Sequence, residues 1–289
     1  MILGCHTKYT DKQLLGCTHQ AIKYGANTFM FYTGAPQNSI RRSINMDYLN
    51  KAWELMKENN IDINNVVCHA PYIVNLANPK VNEFGISFLK DEITRCEVLN
   101  VKKLIIHPGS ATGVSRSDGI DNIIKSLNKI ISKEQNVIIL LETMAGKGNE
   151  CGSSLDEIKT IINGVEHKEK IGVCLDTCHL HDGGYNMANF DEFLDLFDNL
   201  IGIDKIGCIH LNDSKNEFNS HKDRHQNIGY GNIGFDNLLN ITYNERIKNV
   251  PKILETPWYE DNPPYKQEIE MIKNKKFNEN LYNDIIENS

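Results

Sequence analysis

The chain has 289 residues, enough for one large α/β domain or two smaller ones. Hydrophobic residues at 40% and charged residues at 24% are ordinary for a globular protein, and no apolar run approaches the ~20 residues that span a bilayer. A net charge of −7 excludes a broad basic face for nucleic acid, so any such binding must be local or must use bound cations.

The first apolar run, "MILGC", has no basic segment ahead of a long apolar one, so no secretory signal is read and a cytoplasmic location is expected. Thr10 and Gln13 then predict a capping box before "LLGCTHQAIKY", with Gly25 as the C-terminal glycine. "TFMFY" follows, then an amphipathic helix over "MDYLNKAWELMKENN". "NVVCHAPY" and "KLIIHPG" are the next two runs, and "SDGIDNIIKSLNKIISKE" reads as another helix. After "VIILLET", Ser154 and Glu157 predict a second capping box before "IKTII". "IGVCLDT", "IGCIHLND" and "KILETPW" complete the set, and the tail 263–289 is helix-rich.

Each run is short and rich in Val, Ile, Leu or aromatic residues, as strands buried on both faces are. Eight strand–helix units predict a (β/α)8 TIM barrel, α/β in class, as a single domain over 1–289. An open doubly wound sheet is the alternative. No Gly-x-Gly-x-x-Gly or P-loop is present, so no nucleotide cofactor is expected, and no membrane partner either.

Of the eight cysteines, Cys5, Cys68, Cys174 and Cys208 lie in or at the ends of apolar runs, where a free thiol acts as a small hydrophobe. There is no Cys-x-x-Cys pair, so a zinc ribbon and a thioredoxin-like site are both unsupported. Within "VCLDTCHLHDGGY", Cys174 shares strand parity with Asp176 and reads as core filling.

The last residues of successive strands are His69, His107, Glu142, Asp176, His210 and Glu255, separated by 38, 35, 34, 34 and 45 residues. Those steps match one strand–helix unit each, with a loop lengthening the last. His179, Asp223 and His225 lie just beyond strand ends. A barrel builds its active site at that rim. Imidazoles and carboxylates are the usual zinc ligands, and this many exceed one tetrahedral ion. They suit a cluster of two or three ions, an arrangement typical of phosphoester hydrolysis. His6 ends the first strand and stands behind the ligands. His19 and His167 read as surface residues, and His181 and His221 as substrate-facing or solvated.

"HAPY", "HPG", "LETMAGKG", "CLDTCH", "HLNDSK", "KDRH" and "ILETP" together resemble the endonuclease IV family of abasic-site endonucleases, from the first strand to about Lys266. The resemblance implies a barrel carrying three zinc ions. The first would take His69, His107 and Glu142. The second would share Glu142 and add Asp176, His210 and Glu255. The third would take His179, Asp223 and His225. The implied substrate is double-stranded DNA containing abasic sites or blocked 3′ ends. The implied reaction is hydrolysis of the phosphodiester 5′ to the lesion, leaving a 3′-hydroxyl. Glu142 and Glu255 would be the catalytic carboxylates, one bridging ions and one orienting the attacking water. Tyr72 would line the pocket for the flipped-out sugar, Gln37 would fill the gap in the DNA, and Arg224 would reach a phosphate. Three divalent ions would nearly cancel the −7, and Arg41, Arg42, Lys147, Lys215, Lys222 and Arg224 could add phosphate contacts.

Three stretches depart from the family pattern: "HTK" at 6–8, Ala111 where a histidine is common, and "GAPQNSIRRS". None is in the ligand set. A sugar isomerase or epimerase on a similar barrel is the enzymatic alternative, but it needs one or two ions and leaves the group of His179, Asp223 and His225 unexplained. A non-catalytic DNA-lesion-binding module with a structural metal is the other. A monomer is expected, because the DNA face must stay open.

Overall fold

Seven of the apolar runs fold as β1 (Leu3–Thr7), β2 (Thr28–Phe31), β3 (Val67–His69), β4 (Lys103–Ile106), β5 (Ile138–Glu142), β6 (Ile171–Asp176) and β7 (Ile206–His210). A small antiparallel ribbon, β8 (Asp213–Ser214) with β9 (His225–Gln226), precedes the last run, β10 (Lys252–Leu254). In this computed structural model, which describes residues 1–287, β10 pairs in parallel with both β1 and β7. That pairing closes the sheet in the order β1-β10-β7-β6-β5-β4-β3-β2, so the eight-stranded barrel holds and the open sheet does not. Helices return the chain between most strands, as parallel pairing requires.

Strand side chains alternate between two apolar regions. Outward residues such as Phe29, Phe31, Leu104, Ile139, Leu141, Val173, Leu175 and Ile209 pack with the surrounding helices. Inward residues form a separate buried layer of Met30, Val67, Ile105, Leu140, Cys174, Cys208 and Ile253. Two residues further along the same strands stand Tyr32, His69, His107, Glu142, Asp176, His210 and Glu255. The period of a strand thus converts one apolar layer into a ring of functional groups directly above it. The layer seals the barrel from below, and the ring faces the C-terminal mouth.

Local signals account for most helix boundaries. Asn45, Ser115 and Ser154 cap helices Met46–Glu58, Arg116–Ile130 and Leu155–Gly164, each accepting from a backbone N–H three residues on. Gly25 ends helix Gln13–Lys23 with φ +72°, its N–H bonded to the Ile22 carbonyl. The Thr10–Gln13 capping box does not form. Gln13 instead donates to the Ser43 carbonyl and accepts from the Asn45 N–H, tying the first helix to the next loop. Glu157 likewise turns its carboxylate to the Gly152 and Ser153 N–H groups, not to the capping serine. The tail contributes helices Tyr265–Asn274 and Leu281–Glu287, and residues 288–289 of the expected helical tail lie outside the described chain. No helix among the described residues is long and apolar enough to cross a membrane.

Leu140 sits in the inner layer, and its methyl groups fill the space left by Gly172 and Gly207 on the next two strands. Leu140→Ala is expected to cost about 2–5 kcal/mol, read as a lowered denaturant midpoint at unchanged slope.

Candidate metal centre

Glu142 ends β5 and is 1% exposed. Its two oxygens face different imidazoles. Oε2 lies 3.0 Å from His69 Nε2 and 3.1 Å from His107 Nε2. Oε1 lies 3.1 Å from His210 Nδ1 and 3.4 Å from His179 Nδ1. Glu255 Oε2 approaches His210 Nδ1 at 2.9 Å, with Asp176 Oδ2 3.7 Å away. Ligand-type atoms of His69, His107 and Glu142 therefore cluster, as do those of Glu142, Asp176, His210 and Glu255, each set within 4.8 Å. These are the groupings expected for the first two ions.

The third grouping is more shared than the sequence reading has it. His179 Nε2 meets Asp223 Oδ1 at 3.0 Å, and His225 Nε2 lies 3.7 Å from the same oxygen. Asp176 joins them, with Oδ2 3.6 Å from His225 Nε2, so this carboxylate stands between the second and third sets.

Three of the histidines are oriented by backbone carbonyls. His69 Nδ1 lies 2.6 Å from the Ala70 oxygen, His179 Nδ1 2.8 Å from Thr143, and His225 Nδ1 3.3 Å from Glu255. A neutral ring that donates from Nδ1 keeps a lone pair on Nε2, the form a metal ligand needs. His225 Nε2 is buried with no hydrogen-bond partner, although it faces two carboxylates. The HPG motif has a backbone role: Gly109 has φ +133°, and a Cβ there would lie 2.7 Å from Asn75 Oδ1. Only glycine lets the chain turn so closely behind His107.

The electrostatics call for cations. The ion-pair partners of Glu142, Asp176, Asp223 and Glu255 are imidazoles; among the described residues no lysine or arginine pairs with them. Burial alone would depress the imidazoles, yet Asp176 and Asp223 hold His179 well above its usual range, and Glu255 and Glu142 do the same for His210. Glu142 is driven the other way: burial favours its neutral acid, but His210 and His107 hold it well below the carboxylate range. Buried carboxylates crowded against imidazoles must be neutralised by protons or metal ions. The donor set of nitrogen and carboxylate oxygen, with a preset lone pair on three rings, fits zinc-type ions.

Outer residues fix the ligands. Asn212 donates to Asp176 Oδ2 at 2.8 Å and accepts from the Glu255 N–H at 2.9 Å, so one amide sets two ligands. Asp176 also caps the short helix Thr177–Asp182 by accepting from the His179 N–H at 2.8 Å. Asp182, fully buried, accepts from Ser214 Oγ, Asn216 Nδ2 and the Asp223 N–H at 2.6, 2.7 and 2.9 Å. It holds a loop in which Asn219, His221 and Asp223 all take positive φ. Sequence reasoning passes over Asp182 and Asn212. Their signal, a polar residue in a buried run, matches that of any satisfied core group.

Other expectations need amendment. Tyr72, 56% exposed, stands at the mouth, and Gln37 and Arg224 are exposed. Arg42, Lys147, Lys215 and Lys222 are also exposed, and Arg42 pairs with Asp11. Arg41 is not available to a phosphate: its Nε lies 3.0 Å from the buried Glu92, and its Nη1 donates to the Asn38 and Ile40 carbonyls. It braces the loop that carries Gln37. His181 is not solvated; it is buried, 3.2 Å from the Asn216 oxygen and edge-on to Phe218. His6 packs edge-on against Tyr32, which packs in turn on His69.

Fold and rim together define a parallel β/α barrel with a carboxylate-rich cluster at its C-terminal mouth that could hold metal ions. Residues 19–275 match the family described as xylose isomerase-like TIM barrel. "Probable endonuclease 4" of Mesoplasma florum is 50% identical to this chain, over 97% of it and 98% of that protein. The chain belongs to the endonuclease IV family. Among solved structures, endonuclease IV from Thermus thermophilus superposes with a TM-score of 0.79 at 25% identity, covering 100% of both chains. A D-tagatose 3-epimerase-like protein shares the fold alone, with a TM-score of 0.70 at 20% identity over 100% of this chain and 99% of that one.

Asp182→Ala removes three hydrogen bonds at once. It is expected to speed amide exchange across 219–224 and to cost roughly 1–3 kcal/mol per donor left unpaired. Unchanged exchange in that loop would show that Asp182 does not anchor it.

Proposed function

We propose that this protein is a zinc-dependent DNA repair endonuclease that hydrolyses the phosphodiester 5′ to abasic sites in duplex DNA, leaving a 3′-hydroxyl. By the same chemistry it removes blocking groups from 3′ ends. The observation that carries this reading is Glu142, one carboxylate whose two oxygens face two different sets of imidazoles. A third set, with Asp223, His179 and His225, lies beside them. Family membership supports the reading, since the relative from Mesoplasma florum and the structure from Thermus thermophilus both carry endonuclease names.

His69, His107 and Glu142 would hold the first ion, Glu142, Asp176, His210 and Glu255 the second, and His179, Asp223 and His225 the third, with Asp176 near enough to serve either of the last two. Zinc held there would supply Lewis acidity to activate a water and to stabilise the leaving oxygen. The chain's own groups do the rest. Glu142 keeps the first two sets in fixed register because its carboxylate cannot turn without breaking contacts to four rings. Glu255 is the more open of the two catalytic carboxylates, with its side chain 17% exposed and its N–H held by Asn212, so it can orient a water that enters from the mouth. Tyr72 borders the pocket for the extruded sugar, and extrusion costs least where the base is already missing. Gln37, on the loop braced by Arg41 and Glu92, would occupy the vacated space in the duplex. Arg224 and the exposed Lys147, Lys215 and Lys222 would take phosphates. The acidic total then limits binding to this local patch, with a cytoplasmic, monomeric, single-domain enzyme as the whole.

The sugar isomerase or epimerase reading fits the fold but gives no role to Asp223 and His225. Incubating the zinc-loaded protein with a duplex carrying one abasic site, and in parallel with ketose sugars, separates the two. Single-site cleavage with a 3′-hydroxyl product supports the nuclease; epimerised sugar without cleavage overturns it. Glu142→Gln is expected to lose more than the roughly 10–100-fold that removal of an outer-shell partner costs. Full activity in that variant would refute the bridging role. Affinity for the duplex should fall steeply as salt rises, and a salt-independent affinity would contradict the phosphate contacts.

A further inference from the structure

Two buried cysteines stand outside the centre described above. Cys174 on β6 and Cys208 on β7 are register partners across adjacent strands. Both are free thiols with no exposed surface, and both belong to the inner layer beneath the carboxylates. A sulfur from each and a ring nitrogen of His210 all lie within 4.8 Å of one another. His210 turns Nδ1 to Glu142 and Glu255, while its Nε2 is buried with no hydrogen-bond partner. A buried polar atom left unpaired is destabilising. Sequence spacing could not reveal this group, because its two thiols come from different strands and form no Cys-x-x-Cys pair.

We propose that Cys174, Cys208 and His210 form a binding site for a soft or borderline divalent cation such as Cd(II) or Zn(II), beneath the carboxylate-rich sets and sharing His210 with the second of them. The donors decide the class. Two sulfurs and an imidazole select thiophilic ions, whereas Mg(II) and Ca(II) require oxygen. Met30, Val67, Ile105, Leu140 and Ile253 complete the layer with apolar surface. Two thiolates cancel a divalent charge, so the bound ion leaves no net charge in that surface. Binding is an exchange: one divalent cation enters, two thiol protons leave to water together with the Nε2 proton of His210, whose Nδ1 is turned to the set above, and no electrons move. A cavity of about 370 Å³ at the opposite end of the barrel gives a route, lined in part by Lys103, Leu140, Gly172 and Gly207. Leu140 belongs both to that lining and to the layer of the two cysteines, so its side chain would have to move for an ion to pass. Because His210 also faces Glu142 and Glu255, loading this site draws on an imidazole that the set above uses.

Cadmium titration of the zinc-replete protein tests the site without relying on activity. The wild type is expected to develop ultraviolet thiolate-to-cadmium absorption that saturates at one cadmium per chain. Cys174→Ser and Cys208→Ser should lose it. Cys178→Ser should keep it, a needed control because Cys178 lies near Asp223 and His225. No band in the wild type, a band unchanged in both strand variants, or a band lost with Cys178 instead would each overturn the proposal. X-ray absorption of the cadmium-loaded wild type needs no variant: two sulfur neighbours are expected, and a shell of nitrogen and oxygen alone would refute the site.

Discussion

Glu142 is a carboxylate at the centre of the barrel mouth, and among the described residues no lysine or arginine pairs with it. Four imidazoles surround its two oxygens, and two more carboxylates, Asp176 and Glu255, stand close by. Such a cluster is stable only if positive charge enters it. Protons on His179 and His210 can supply that charge, and the carboxylates hold both rings well above their usual range for this reason. Metal ions would supply it better, because they would also use the lone pairs that the Ala70, Thr143 and Glu255 carbonyls have preset on three rings. The rest of the site serves to keep these groups from relaxing apart.

The barrel itself does most of that work through a simple periodicity. A side chain two residues beyond an inward apolar residue must also point inward. With the layer from Met30 to Ile253 packed as a plug, the next inward positions have nowhere to go but the mouth. Closure of β1 against β10 then fixes the distance between opposite walls. Beyond the strands the chain has to bring Asp223 and His225 back over the rim. It does so with the β8–β9 ribbon and with the buried Asp182, at the cost of positive φ at Asn219, His221 and Asp223.

Much of this was legible in the sequence, because period-two strands and strand-end residues are local patterns. Six ligand-type side chains at nearly equal steps point to a rim on spacing alone. What escaped depends on contacts between distant segments. Gln13 looks like a capping residue until Ser43 and Asn45, some thirty positions away, claim its side chain. Arg41 looks like a phosphate ligand, but Glu92 from a later helix buries it. Cys174 reads as core filling because its counterpart Cys208 arrives on the neighbouring strand. Asp182 and Asn212 carry no pattern of their own; only the hydrogen bonds they collect reveal what they do.

In the proposed enzyme, a trinuclear cluster would balance the crowded carboxylates and imidazoles. Metal analysis of the purified protein, with the Cys174→Ser and Cys208→Ser variants alongside so that the thiol site is counted separately, tests it most directly. About three zinc ions per chain are expected to be retained in those variants. Zero or one would contradict the trinuclear cluster.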